Sequence, residues 1–387
     1  MPYAEGRTIH DADSHVVETP DWLVPWADPA VRERMHPLYL SRVKPGEETF
    51  IDELRRHHAD LAERPRAEAE IMLRKNWSAL GSFVKEDRPR ALDLLGFASQ
   101  LVFNTFLSQY LCQTEHEPDP DFAYGLARAH NRAMVDFCAV DRRLLTVGYV
   151  PLADFARARA MAEEAVAMGC KALLVPSACP AEHSPSHTGL FPVWAIAEEA
   201  GLPIVFHVGG GGQLLDPHYF TNGLPPVPDF HGGAENFRSI DYMAIPYPVM
   251  QTLATLILDG VLERFPRLMF GVIEQGASWV PGWMKLLDSA MDAFRKNEER
   301  LQRLSLRPSD YVRRQVRVTP YPAEDVGWIA ANSGPEVCLF SSDYPHVEGG
   351  RNPIKRFEAS LASASREARR RFYGQNMVEL MGRMLPA

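Results

Sequence analysis

At 387 residues the chain is long enough for one large α/β barrel or two ordinary domains and too long for a minimal fold. Hydrophobic residues make up 46% and charged residues 24%, close to globular averages, which excludes a disordered, collagen-like or fibrous protein. Lys plus Arg number 41 against 50 Asp plus Glu, and the net charge of −9 disfavours nucleic acid or an anionic membrane as partner, so a small molecule is expected instead.

The N-terminal residues, Met1 to Arg7, contain no apolar signal core, and no later run approaches the roughly 20 apolar residues of a bilayer span, so a cytoplasmic protein is expected. Short apolar or β-branched runs follow, separated by stretches long enough for a helix. The predicted strands are Thr8–Asp13, Gln100–Asn104, Leu144–Val150, Ala172–Pro176, Pro203–His207, Leu268–Glu274, Val316–Thr319 and Val337–Ser342. Several are continuously apolar, as buried parallel strands are. Eight strands in βα alternation predict one distorted (β/α)8 TIM barrel over 1–387. Helices are predicted over Phe155–Met168 and Phe191–Ala200, each stopped by a glycine, Gly169 or Gly201.

Two stretches exceed a simple connection: 19–95 is expected to be a helical insertion after the first strand, and 209–245 a long loop after the fifth. Both follow strand C-termini, where such barrels carry their active sites. An arm as long as 19–95 is also suited to a homodimer interface. The charged run Glu298–Arg307 reads as a solvated helix face and turn. The five cysteines are scattered without C-x-x-C spacing, so any metal has to be held by His and carboxylate.

The first strand leads into Asp13-Ser14-His15, and residues two apart on a strand share a face. A carboxylate and an imidazole side by side suit zinc, manganese or iron. An isolated D-x-H is commonly only a turn or a cap. Three further apolar runs, however, end in ligand-type side chains: His207, Glu274 and Asp343. Burying such groups separately at strand ends is costly, and one cation at the barrel mouth would relieve that cost for all of them.

Asp13-Ser14-His15, Phe206-His207, Glu274-Gln275-Gly276-Ala277-Ser278-Trp279-Val280-Pro281, Pro308-Ser309-Asp310-Tyr311 and Ser342-Asp343-Tyr344-Pro345-His346 stand in the order found in the amidohydrolase superfamily. The chain resembles the family 2 branch related to aminocarboxymuconate semialdehyde decarboxylase, from Thr8 to about Leu380. The resemblance implies a barrel with a divalent metal bound by Asp13, His15, His207 and Asp343. Asp13 departs from the better-known H-x-H motif, and Glu274 stands where decarboxylases of this branch carry a proton-handling His.

Glu274 has three readings: general base, ligand to a second metal, or structural carboxylate. Glu18 either joins it in a dinuclear site or accepts hydrogen bonds from the loop backbone. His231, His346 and Trp279 are candidate substrate contacts, and Trp283 and Phe230 candidate pocket walls. The leading expectation is metal-dependent hydrolysis of an amide, lactone, ester or thioester, with one or two ions activating water and Asp343 or Glu274 moving the proton. The alternative is non-oxidative decarboxylation of an aromatic or unsaturated carboxylic acid. A catalytically silent binding scaffold is a third class, disfavoured by the surviving set of ligand-type residues.

Overall fold

The computed structural model describes residues 2–38, 47–225 and 238–386. Seven parallel strands form one sheet in sequence order: β1 (His10–His15), β2 (Ser99–Phe103), β3 (Leu144–Tyr149), β4 (Ala172–Leu174), β5 (Ile204–His207), β6 (Phe270–Ile273) and β7 (Val316–Val318). Apart from His10, every residue of these strands is buried. Crossover helices leave parallel strands no face to water, which is why their sequences read as apolar runs rather than alternations.

The helices Phe155–Met168 and Phe191–Ala200 have the expected bounds. Each is stopped where glycine takes up the left-handed conformation, at Gly169 (φ 91°) and Gly201 (φ 70°). Asp154 caps the first by accepting the Arg157 N–H at 2.9 Å. The longer helix Pro120–Cys138 packs on β3 and buries Leu126, Ala133, Met134 and Phe137. Each large apolar side chain so buried contributes about 1.5–3 kcal/mol.

The reading of Val337–Ser342 as a regular eighth strand is corrected. The segment makes only isolated bridges, Val318 with Cys338 and Ser14 with Tyr344. It nevertheless lies between the two edge strands. Leu339 N–H donates to the Val318 carbonyl (2.9 Å), and Ala12 and His15 donate to the carbonyls of Phe340 (3.0 Å) and Tyr344 (2.7 Å). A regular ladder fails because Asp343 adopts φ 53° and Pro345 has no N–H to give.

Between β1 and β2 the described residues include the helices Glu47–Ala59, Arg64–Ala69 and Arg88–Leu95. This stretch reaches the far end of the chain: Asn76 N–H donates to the Pro345 carbonyl (2.9 Å) and Lys75 Nζ to the Gly350 carbonyl (2.7 Å). After β5, the last part of 209–245, expected as loop, is helical over Ser239–Ala244. Among the described residues, no helix is long and apolar enough to cross a membrane.

Candidate metal centre

The C-terminal ends of β1, β5, β6 and segment 337–344 converge on one buried cluster. His15 Nε2 lies 3.2 Å from Asp13 Oδ1 and 3.4 Å from Asp343 Oδ1. His207 Nε2 lies 3.4 Å from Asp13 Oδ1 and 3.3 Å from Glu274 Oε2. His346 stacks on His15 with ring centroids 3.9 Å apart, and its Nδ1 stands 3.1 Å from Asp343 Oδ1. Two overlapping groups result, Asp13–His15–His207–Glu274 and His15–Glu274–Asp343–His346, each with ligand-type atoms within 4.8 Å of one another.

Two of the carboxylates sit on unusual backbone. Glu274 (φ 54°) and Asp343 (φ 53°) are both in the left-handed region, which costs an L-residue roughly 1–2 kcal/mol. Surrounding bonds enforce it. Glu274 N–H donates to Thr319 Oγ1 (2.8 Å), and its carbonyl accepts from the Tyr321 hydroxyl (2.9 Å). Asp343 N–H donates to the Asp13 carbonyl (2.9 Å). Strain concentrated at two converging carboxylates is a mark of a functional site.

Backbone carbonyls set the histidine tautomers. His15 Nδ1 meets the Asn104 carbonyl at 3.0 Å and His207 Nδ1 the Val208 carbonyl at 3.0 Å. A carbonyl only accepts, so both Nδ1 atoms carry hydrogen and both rings turn Nε2 to the cluster, the atom that offers a lone pair to a metal. His346 is reversed. Thr105 Oγ1 donates to the Val16 carbonyl (2.8 Å) and so accepts from His346 Nε2 (2.8 Å), which aims the Nδ1 lone pair at Asp343.

Burial, with His346 alongside, lowers His15 to about 4, and burial lowers His346 to about 3, so both are neutral at pH 7. Burial and the neighbouring Asp13 charge raise Asp343 to about 7. His15 Nε2 and both Asp343 carboxylate oxygens are buried and make no hydrogen bond. Lone pairs facing lone pairs in a buried site are the chemistry a divalent cation satisfies, and the N/O donor set suits one.

Beside the cluster lies a cavity of about 640 Å³ whose walls include Glu274, Val208, Tyr242, Tyr321, Arg238 and Arg356. Other expected residues fall elsewhere. The Glu18 carboxylate accepts the backbone N–H groups of Thr105 (3.0 Å) and Phe106 (3.1 Å) and stands outside both ligand groups. Trp279 donates Nε1–H to the Gly276 carbonyl (2.8 Å) and packs edge-on against Trp283, away from the cavity wall. His231 and Phe230 lie outside the described residues.

Residues not singled out in the sequence also shape the site. Asn104, whose carbonyl orients His15, shares its side chain with His130 (3.1 Å) and Ser108 (2.8 Å). The available signal was a polar residue closing an apolar run, as at His207. Asp11 lies below the cluster, buried, with burial raising its carboxyl to about 7 against the hydrogen bonds it accepts.

The sequence model of the amidohydrolase family matches residues 98–383. The chain belongs to the amidohydrolase family. The matched span takes in His207, Glu274 and Asp343 and excludes β1 with Asp13 and His15. No curated protein matches this amidohydrolase. Among solved structures it is similar to an amidohydrolase from Mycobacterium avium subsp. paratuberculosis K-10, at 23% identity and TM-score 0.74 over 97% of this chain and 100% of that one. A 5-carboxyvanillate decarboxylase from Novosphingobium aromaticivorans, complexed with manganese and 4-hydroxy-3-methoxy-5-nitrobenzoic acid, is 16% identical with TM-score 0.64, covering 97% and 96%. A 2,6-dihydroxybenzoate decarboxylase from Rhizobium is 16% identical with TM-score 0.64, covering 97% and 98%. At these identities the likeness is one of fold.

Proposed function

We propose that this amidohydrolase is a metal-dependent lyase that removes carbon dioxide, without oxidation, from an aromatic or unsaturated carboxylic acid. The observation that carries this reading is the pair of overlapping ligand groups, Asp13–His15–His207–Glu274 and His15–Glu274–Asp343–His346, at the strand ends of a fold shared almost end to end with a decarboxylase complexed with manganese. It displaces hydrolysis as the leading expectation. Residues 1–387 are taken as one working unit, with 19–95 built into it.

Asp13, His15, His207 and Asp343 would hold one divalent ion, manganese before zinc or iron. When bound, the ion supplies a Lewis acid that orients a carboxylate and neutralises its charge. Glu274 belongs to the cluster and also lines the cavity, so it is the group able to reach substrate carbon. As the bond to the carboxylate carbon breaks, the electron pair stays on the substrate carbon, which takes the proton of protonated Glu274 while carbon dioxide leaves. Tyr242 and Tyr321 give the wall aromatic surface, and Arg356 brings a cation to it for an anionic ligand.

Hydrolysis keeps one specific support. Glu274 is a carboxylate where the resemblance leads one to expect His, and a carboxylate serves well as general base toward water. Mn²⁺-loaded protein should therefore be offered hydroxybenzoates and other aromatic or unsaturated acids beside a panel of lactones, esters, thioesters and amides. Carbon dioxide release that stops on chelation and returns with Mn²⁺ is the expected result. Metal-dependent acid release from the carbonyl panel, with no carbon dioxide from any acid, would overturn decarboxylation in favour of hydrolysis.

A further inference from the structure

We propose that Asp11 is a positioning residue for the metal centre, setting the placement of Asp343 through Ser342. The proposal rests on the metal-centre reading above. Asp11 is fully buried, and its carboxylate gathers groups from three parts of the chain. Oδ1 accepts the Ser342 N–H at 2.8 Å and, at a longer 3.4 Å, the Asp13 N–H. Oδ2 accepts the Ser342 hydroxyl at 2.6 Å and Gln100 Nε2 at 2.9 Å. One side chain therefore ties β1 to β2 and to the segment that carries Asp343.

The grip on Ser342 is two-pronged, and it bears on the next residue. Ser342 Oγ also accepts the Tyr344 N–H (3.2 Å), so Asp343 is spanned by one hydroxyl that Asp11 holds in place. Asp343 itself is pinned by its N–H to the Asp13 carbonyl (2.9 Å) and by the His346 N–H on its own carbonyl (2.7 Å). This bracket holds the left-handed backbone that turns the carboxylate toward His15. β1 and β2 lose regular register between Asp11 and Ser14, so the strand ladder does not set this geometry and side-chain bonds take over. Apart from the long contact with the Asp13 N–H, the Asp11 carboxylate bonds to no member of the ligand set, and its two short bonds to Ser342 are its main route to the site.

The test compares Mn²⁺ binding by the metal-free full chain with that of Asp11→Asn, using calorimetry and the Mn²⁺ electron paramagnetic resonance line shape. Asn keeps the shape but replaces one acceptor oxygen with a donor facing donors. The expected result is a loss of about 10–100-fold in Mn²⁺ affinity and an altered line shape, the scale at which groups supporting metal ligands act. Gln100→Leu is the control, since it removes an Asp11 partner without touching Ser342. A purely structural role predicts that both variants lose thermal stability with Mn²⁺ affinity and line shape unchanged, and that result overturns the proposal. Should Asp11→Asn fail to fold, Ser342→Ala decides, because it removes the spanning hydroxyl and leaves Asp11 intact; wild-type affinity and line shape there overturn the proposal too. Failure of the wild-type chain to bind Mn²⁺ overturns the metal-centre reading and this assignment with it, whereas wild-type binding with unaltered variants overturns this assignment alone.

Discussion

Glu274 and Asp343 are both strand-end carboxylates on left-handed backbone, yet their surroundings separate them. Asp343 is buried against His15 and His346, while Glu274 pairs with His207 and opens on the cavity. The same charge change should therefore have different consequences. Asp343→Asn is expected to lower both bound metal and turnover. Glu274→Gln should leave metal content near the wild-type value and lower turnover by about 10²–10⁴-fold, the usual contribution of a placed acid or base. Elemental analysis beside kcat checks both, and equal metal loss in the two variants would make Glu274 a ligand instead. With Glu18 turned to the backbone of Thr105 and Phe106, about one metal per chain is expected.

At the scale of elements, the irregular segment after β7 is the one that finishes the site. Its loop returns over itself so closely that a Cβ on Gly349 would overlap the Ser342 carbonyl oxygen and lie 2.9 Å from Asp343 Cβ. Both neighbours are fixed by bonds already described, so neither can yield without moving the Asp343 carboxylate. Gly349→Ala should cost about 1–3 kcal/mol of stability, as overpacking does. It should also weaken Mn²⁺ binding although residue 349 offers no ligand. Denaturant unfolding and calorimetry read the two effects separately, and a stability loss with unaltered Mn²⁺ affinity would show that the loop moves without Asp343.

For the whole molecule, the buried titrating groups pull in opposite directions. Asp343 and Asp11, raised to about 7, keep their protons when folded and release them near pH 4 when unfolded. Their contribution to metal-free stability therefore falls between about pH 4 and about 7. His15 and His346, lowered to about 4 and about 3, are neutral in the folded chain while still protonated when unfolded. Their contribution rises with pH until it levels near the ordinary histidine value of about 6.5. In the folded chain both of these histidines are neutral above about pH 4, so the proton on Asp343 is the one a metal has to displace. Stabilisation by a fixed Mn²⁺ concentration should thus grow from pH 6 to about 7 and flatten above it. At 100 times the dissociation constant it reaches about 2.7 kcal/mol. Scanning calorimetry with and without Mn²⁺ checks this, and a metal-induced shift that shrinks as pH rises would contradict it.

Much of this arrangement is legible in sequence because it is local. Strand and helix periodicities are written in nearest neighbours, so the βα order, the stops at Gly169 and Gly201, and the polar groups closing apolar runs at His15, His207, Glu274 and Asp343 can be read from the chain alone. What sequence could not decide involves partners far apart along it. Asp11 meets Ser342 across 331 residues, and Thr105 meets His346 across 241. Those contacts exist only once the sheet has curled and brought β1 beside the segment after β7. The same curl leaves that segment without a regular ladder, directs Glu18 to backbone N–H groups rather than to the cluster, and seats Trp279 against Trp283. Sequence determined which side chains stand at the strand ends; tertiary structure decided which lone pairs face one another, because buried polar atoms are satisfied by whatever the fold brings within about 3 Å, however distant in the chain.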